Sequence, residues 1–165
     1  MEQGAVAMAT GAAAARAAEP DPVQTLLAGE GGRISAGALI GVLLQPYIAA
    51  GHPVAIEIDE VSLGSEAALT LACVIRELAA NAARHGALST LGGRVLITGR
   101  VARDNCTEAL GLTWQEHGGS SGRGRRRIDL RASMLTRTPA REHGGQGSLS
   151  SREDGLFYEL RLPVA

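Results

Sequence analysis

One segment, 66–85, constrains the fold of this chain more than any other part of the sequence. Its apolar residues recur at helical spacing and share one narrow sector of a helical wheel: Leu71, Ile75, Leu78 and Ala82. Ser65 precedes the segment as a candidate N-cap, and Gly86 follows it in the C-terminal position that favours positive φ. The sequence therefore predicts a long helix with one buried face.

Two weaker helices are predicted, one on each side of the long one. Ser35 is a candidate N-cap for the first, whose apolar side consists of Leu39, Ile40, Leu43 and Leu44. This helix is expected to end at Gln45-Pro46, because the residue before a proline is pushed out of helical geometry. The second helix is expected at about 125–136, before Pro139.

Strands account for most of the remaining patterned sequence. They are predicted at 54–58, at 93–103, at 108–115 and at the end of the chain. Two of them place their apolar residues on one face: Leu110, Leu112 and Trp114 in one, and Leu156, Tyr158, Leu160 and Leu162 in the other. Residues 144–151 are expected to form a turn region. Because helices and strands mix without a regular βαβ rhythm, the fold class is an α/β (α+β) two-layer sandwich.

Length and composition fit one domain behind a tail. The chain has 165 residues, of which 45% are hydrophobic and 20% charged, which suits a single core of ordinary size. Residues 1–22 are rich in alanine and end in Pro20-Asp21-Pro22, which stops a helix. We expect a disordered N-terminal tail over 1–22 and a domain over 23–165.

Charge and hydropathy exclude two classes of partner. The formal net charge of −1 produces no global attraction to nucleic acid or to an anionic membrane. No apolar run reaches the roughly 18–20 residues that cross a bilayer, and the N-terminus lacks the pattern of a signal peptide. We expect a cytoplasmic protein with no nucleic-acid partner and no membrane insertion.

Cys73 belongs to no Cys-x-x-Cys pair and is expected to be a buried free thiol.

A polar ridge on the long helix carries the candidate chemistry. Glu77, Asn81 and His85 are four residues apart, so they stack along one side, beside Arg84. They offer a proton acceptor, a neutral oxygen for a hard cation and a polar orienting group. Magnesium prefers oxygen ligands and usually keeps several waters while it touches phosphate, which an Asn oxygen supports. Taken alone, the ridge fits an ordinary solvated face of an amphipathic helix better.

Four segments match the motifs of a known family in order. The segment 76–89 reads Arg-Glu-Leu-Ala-Ala-Asn-Ala-Ala-Arg-His-Gly-Ala-Leu-Ser, and it closely resembles the N-box of HWE-type sensor histidine kinases. The segment 112–119, Leu-Thr-Trp-Gln-Glu-His-Gly-Gly, resembles their Trp-x-Glu motif with paired glycines. Residues 122–128 resemble their Gly-x-Gly-x-x-x-Ile box, and 155–163 resemble their closing strand. The resemblance covers roughly residues 34–165, and His85, Trp114 and Glu116 would be the three residues that name the family.

The resemblance implies a Bergerat-type ATP-binding fold, with a mixed sheet covered by helices on one face. It implies that Asn81 binds Mg²⁺, and that Glu77 acts near the γ-phosphate as a base or as an orienter of the accepting group. His85 is the second candidate catalytic residue. Glu116 would accept a hydrogen bond from the adenine amino group; the alternative is a surface carboxylate at a strand end. The remaining candidate cofactor-binding residues are Arg84, Gly118, Gly119, Gly122 and Gly124, the last two before a helix N-terminus that attracts phosphate.

The implied function is that of the ATP-binding catalytic domain of a two-component sensor histidine kinase. The cofactors would be ATP and Mg²⁺. No histidine precedes His52, so the γ-phosphate would pass to a histidine on a separate dimerisation domain or phosphotransfer protein, and then to a response regulator. Only Ser120 and Ser121 lie between the paired glycines and Gly122, where the family carries a longer lid. A catalytically inactive interaction module is therefore one alternative; an anti-sigma-type serine kinase is another, against which the Trp-x-Glu motif argues.

Overall fold

The computed structural model describes residues 22–28, 32–104, 107–118, 135, 137 and 144–164. The helices in this part of the chain are α1 (Pro22–Ala28), α2 (Ala36–Ala49) and α3 (Ser65–His85), and a short 3-10 turn follows at Ala87–Ser89. The strands are β1 (Arg33–Ser35), β2 (Val54–Ile58), β3 (Ser62–Gly64), β4 (Arg94–Asp104), β5 (Thr107–His117), β6 (Gln146–Arg152) and β7 (Gly155–Pro163). None of the helices in these ranges combines the length and the apolarity needed to cross a bilayer.

The five longer strands form one mixed sheet in the order β2-β4-β5-β7-β6. Strands β2 and β4 are parallel, and the other neighbouring pairs are antiparallel. Ile97, Trp114 and Tyr158 lie opposite one another in this register and are fully buried beneath the helices. The predicted two-layer sandwich, with helices on one face of a mixed sheet, is confirmed.

The long helix α3 follows its predicted span but not its predicted caps. Its buried stripe contains every residue named from the helical wheel: Leu71, Ile75, Leu78 and Ala82. The N-cap is Gly64 and not Ser65, because the Ser65 hydroxyl donates instead to the Gly32 carbonyl at 3.1 Å. That bond ties the start of α3 to the segment before β1. Gly86 does end the helix, but its φ is −111°, so the expectation of positive φ was wrong.

Helix α2 begins as predicted and ends later than predicted. The Ser35 hydroxyl accepts from the Ala38 amide at 3.4 Å, which confirms the N-cap. The helix then continues through Pro46 to Ala49, so the expected end at Gln45 was wrong. Gln45 and Pro46 are exposed, where water can solvate the carbonyl that a proline leaves without a donor. The buried residues of α2 precede the proline and pack in the core with α3, and Tyr47, directly after the proline, is partly buried against the same core.

Several elements were missed. Residues 146–152 form strand β6, not a turn, at one edge of the sheet; their glycine and serines carry no strand-like pattern. The short pair β1–β3 and helix α1 were also not predicted.

Cys73 is exposed, so the expectation of a buried thiol was wrong. Its position lies about 200° around the helix from Leu71, on the side opposite the core. Of the tail predicted over 1–22, residues 1–21 lie outside the described residues and Pro22 begins α1; most of the helix predicted at 125–136 also lies outside the described residues.

Tyr158 connects the sheet to residue 135. Its hydroxyl donates to the Leu135 carbonyl at 2.7 Å, and burial raises the pKa of Tyr158, so the donor stays protonated at neutral pH. Tyr158→Phe should lower the free energy of unfolding by about 1–2 kcal/mol, because the buried carbonyl loses its donor. Urea unfolding measures this loss. Tyr47→Phe, on the chain's other tyrosine, is the control and should change stability by less than about 0.5 kcal/mol; equal effects would contradict the role of the hydroxyl.

Candidate functional site

The polar ridge of α3 lies at the boundary between the buried stripe and solvent. Glu77 and Asn81 are half-buried, one helical turn apart, and the Glu77 Oε1 atom is enclosed by protein atoms. Arg84 and His85 are exposed. Glu77 and Asn81 are therefore the two more enclosed residues of the ridge.

Glu116 is a buried carboxylate at the end of β5. It is only 3% exposed, and its side chain points to the helix side of the sheet, like that of Trp114 two residues earlier. Its Oε2 accepts from the Ala87 amide at 2.9 Å, and its Oε1 accepts from the Trp114 indole N–H at 3.4 Å. A buried carboxylate needs such donors to offset the loss of water. The alternative of a surface carboxylate is wrong.

Gly86 lets the end of α3 reach this carboxylate. A Cβ added to Gly86 would collide with Glu116 Oε2 and would lie 2.6 Å from Ala82 Cα. The glycine is required for this close approach and not for a left-handed backbone. Because Ala82 and Glu116 meet at Gly86, the helical turn that carries Asn81 lies next to the strand end that carries Glu116.

A second connection joins the same two parts of the chain. The Thr90 hydroxyl donates to the Gly118 carbonyl at 2.8 Å. Gly118 has φ of +71°, and a Cβ there would lie 3.0 Å from the Gly92 carbonyl oxygen. Glycine is thus needed at 118 for its backbone conformation and for close approach to another part of the chain. The other predicted glycines, Gly119, Gly122 and Gly124, lie outside the described residues.

Sequence reasoning missed Ala87 and Thr90. Ala87 contributes a backbone N–H, which no side-chain pattern reveals, and Thr90 acts on a carbonyl that is distant in sequence. Both lie in the segment directly after α3. The only sequence signal for them was the continuation of the N-box resemblance through Ala87, Leu88 and Ser89.

Two hollows lie near the end of β5. One has a volume of about 280 Å³ and is lined by Gln115, Glu116, His117 and the hairpin residues 152–157. In this hairpin the Arg152 guanidinium stacks on the Phe157 ring, 3.3 Å from its centroid. The other hollow, of about 320 Å³, is lined by residues 53–55, 94–96 and His117. Neither of the two is lined by Glu77 or Asn81, so the ridge and Glu116 are neighbours without sharing either hollow.

The chemistry of the described side chains is compatible with a nucleotide and a magnesium ion. A carboxylate has about four acceptor positions, so a base amino group can be accommodated at Glu116 beside the Ala87 and Trp114 donors. Within the described ranges, no cluster of three His, Cys, Asp or Glu residues could hold a metal. A cation at Asn81 would accordingly depend on phosphate oxygens and water for its other ligands, which is the usual situation for Mg²⁺.

A mixed five-stranded sheet with helices on one face is the fold of histidine-kinase ATP-binding domains. The ATP-binding domain of PrrB from Mycobacterium tuberculosis matches with a TM-score of 0.57 and 18% identity, over 81% of this chain and 96% of that one. The blue-light-activated histidine kinase EL346 of Erythrobacter litoralis matches with a TM-score of 0.62 and 19% identity, over 79% of this chain and 42% of that one. The histidine kinase ThkA, in complex with the response regulator TrrA, matches with a TM-score of 0.55 and 17% identity, over 81% of this chain and 41% of that one.

This chain therefore spans less than half the length of the EL346 and ThkA chains. At these identities the likeness is one of fold. No protein-family model matches the sequence, and no curated protein matches it.

Proposed function

We propose that this chain binds ATP·Mg²⁺ as the catalytic domain of an HWE-type sensor histidine kinase. The observation that carries the proposal is the contact between the two motif regions. Glu116, at the strand end, accepts from Ala87 and abuts Gly86, directly after the helical turn that carries Asn81. This contact supports the proposal, because it brings the strand end that carries Glu116 close to the C-terminal end of the helix that carries Asn81, on a fold that histidine-kinase catalytic domains share.

Base recognition is assigned to Glu116. A carboxylate only accepts hydrogen bonds, so it suits the exocyclic amino group of adenine and disfavours the carbonyl at the same position of guanine. By the motif resemblance, Gly118 and Gly119 are assigned to close approach of the backbone to the base. Gly122 and Gly124 are assigned to the phosphates by the motif resemblance.

Phosphoryl transfer is assigned to the ridge of α3. When bound, ATP would supply the γ-phosphoryl group and leave as ADP, and Mg²⁺ would neutralise charge on the phosphate oxygens. Asn81 holds the cation through its amide oxygen, and Arg84 contacts phosphate as a permanent charge. Glu77 acts as a base or orients the accepting histidine. His85, at the exposed end of the helix, is the second residue assigned to the phosphoryl transfer. The acceptor belongs to a separate dimerisation domain or phosphotransfer protein, with onward transfer to a response regulator, the kind of partner that ThkA holds.

The proposal is tested first by nucleotide binding. Calorimetry should show ATP binding in the presence of Mg²⁺, with weaker binding of GTP by about tenfold, the ratio expected for one mismatched hydrogen bond to a charged group. EDTA should weaken ATP binding. If millimolar ATP with Mg²⁺ neither binds nor raises the melting temperature, the chain is an interaction module without nucleotide.

Phosphotransfer is tested with radiolabelled ATP. The isolated chain should incorporate no label, whereas a purified histidine-containing dimerisation domain of an HWE-type kinase should become labelled when this chain is added. The label should be stable to base and labile to acid, as phosphohistidine is. An acid-stable label on serine would instead identify the anti-sigma-type serine kinase.

A further inference from the structure

Trp114 and Glu116 form a hydrogen-bonded pair inside the protein. They stand two residues apart on the same face of β5, with exposures of 0% and 3%. The indole Nε1–H donates to Glu116 Oε1 at 3.4 Å, a long hydrogen bond, while the Ala87 amide donates to Oε2 at 2.9 Å. Each carboxylate oxygen therefore has its own donor, and the two donors come from different parts of the fold.

The two donors restrict a torsion that is otherwise loose. The terminal torsion of a glutamate is broad and roughly two-fold, so the side chain alone does not define where its lone pairs point. One donor fixes one oxygen and still permits rotation about it. A second donor on the other oxygen fixes the plane of the carboxylate.

The indole is itself immobile. Ile97 and Tyr158 lie opposite Trp114 on the two neighbouring strands, and all three side chains are fully buried. A close-packed ring cannot change rotamer without displacing both neighbours. The packing in the sheet therefore fixes the direction of the indole N–H. Through its hydrogen bond, the N–H in turn orients the Glu116 carboxylate.

We propose that Trp114 is a positioning residue, whose indole N–H orients the Glu116 carboxylate for recognition of the adenine amino group. The inference rests on the proposed nucleotide function of Glu116 and adds a specificity determinant to it. Trp114 does not touch the nucleotide; it acts through the carboxylate.

The hydrogen bond can be tested without any nucleotide. Trp114 is the single tryptophan of the chain, so a ¹⁵N-labelled sample shows one indole N–H resonance. That resonance should shift in Glu116→Gln and stay in place in Glu108→Gln, the same change at the other end of β5, where Glu108 pairs with Arg103 on the surface. An indole resonance that ignores Glu116→Gln overturns the proposal.

The positioning role is tested by selectivity. Trp114 is replaced by a tryptophan isostere with sulfur in place of the indole N–H, and by Trp114→Phe. Both should reduce the preference for ATP over GTP by roughly three- to tenfold, the range expected for a weakened bond to a charged group. Ile34→Val, a core change in the separate β1–β3 pair, should lower the melting temperature and leave the preference unchanged.

The outcomes separate the two proposals. If the isostere retains the full ATP preference while Glu116→Gln loses it, Trp114 is a core residue only and the positioning role is refuted. If the wild type itself binds no nucleotide, the proposed function falls and the positioning role falls with it. In that case an indole resonance that still responds to Glu116→Gln identifies the pair as purely structural.

Discussion

Asn81→Ala is expected to weaken binding of ATP·Mg²⁺ by roughly 10- to 100-fold, the range for loss of one bond to a charged group. Binding of ATP in EDTA should change little, because the substitution removes a cation ligand and leaves the base contact intact. Asn81 is half-buried on α3 and faces no cluster of acidic ligands in the described ranges that could replace it. Titration calorimetry with and without Mg²⁺ measures the two affinities.

Two variants calibrate this result. Asn81→Asp retains an oxygen ligand, so it should preserve Mg²⁺-dependent binding better than alanine does. Cys73→Ser changes an exposed position two turns earlier on the same helix and should leave both affinities unchanged. Equal affinity of wild type and Asn81→Ala for ATP·Mg²⁺ would remove Asn81 from the site.

Gly86→Ala is expected to lower the free energy of unfolding by about 3 kcal/mol, the upper part of the usual range for overpacking. The added methyl group would collide with Glu116 Oε2 and the backbone of Ala82, and neither can move aside easily. For a chain of this length, each kcal/mol corresponds to about 2–4 °C in melting temperature. Calorimetric melting measures the shift.

The control is the same substitution in a site with space. Gly41 lies inside α2, and a Cβ there would meet no atom within 4 Å. Gly41→Ala should therefore raise stability by about 0.5–1 kcal/mol, because alanine loses less backbone entropy in a helix. Opposite signs for the two changes would show that the packing at Gly86 matters; a neutral Gly86→Ala would refute the close approach.

The spacing of apolar residues predicted those helices and strands in which it follows which side chains are buried. The stripe of Leu71, Ile75 and Leu78 identified α3, and the alternation around Trp114 identified β5, because both patterns record which side faces the core. Strand β6 could not be found in this way. Its serines and glycine form a strand because β7 offers a hydrogen-bonding partner, and a partner is a property of the whole fold.

Local rules failed where tertiary contacts outweighed them. Ser65 fits the composition of an N-cap, yet its hydroxyl bonds to Gly32, which the sequence alone does not place nearby. Pro46 should end a helix, yet α2 continues beyond it to Ala49, and Tyr47 directly after the proline is partly buried against the core. At the candidate site, motif resemblance selected Asn81 and Glu116. It did not reveal that Glu116 is buried, or that Ala87 and Trp114 hold it, since these contacts join parts of the chain that local pattern cannot relate.

The strand order also determines when the environment of Glu116 is completed during folding. Strand β7 lies between β5 and β6 although it follows both in the sequence, so Trp114 receives its Tyr158 neighbour from a segment more than forty residues downstream. Contacts between segments so far apart form slowly, because the entropy cost of closing the loop is met before the contacts stabilise it. We expect the helices and the β4–β5 hairpin to associate first and the β6–β7 hairpin to dock last. The region around Glu116, which would recognise a nucleotide base, is then among the last parts of the molecule to reach its native structure.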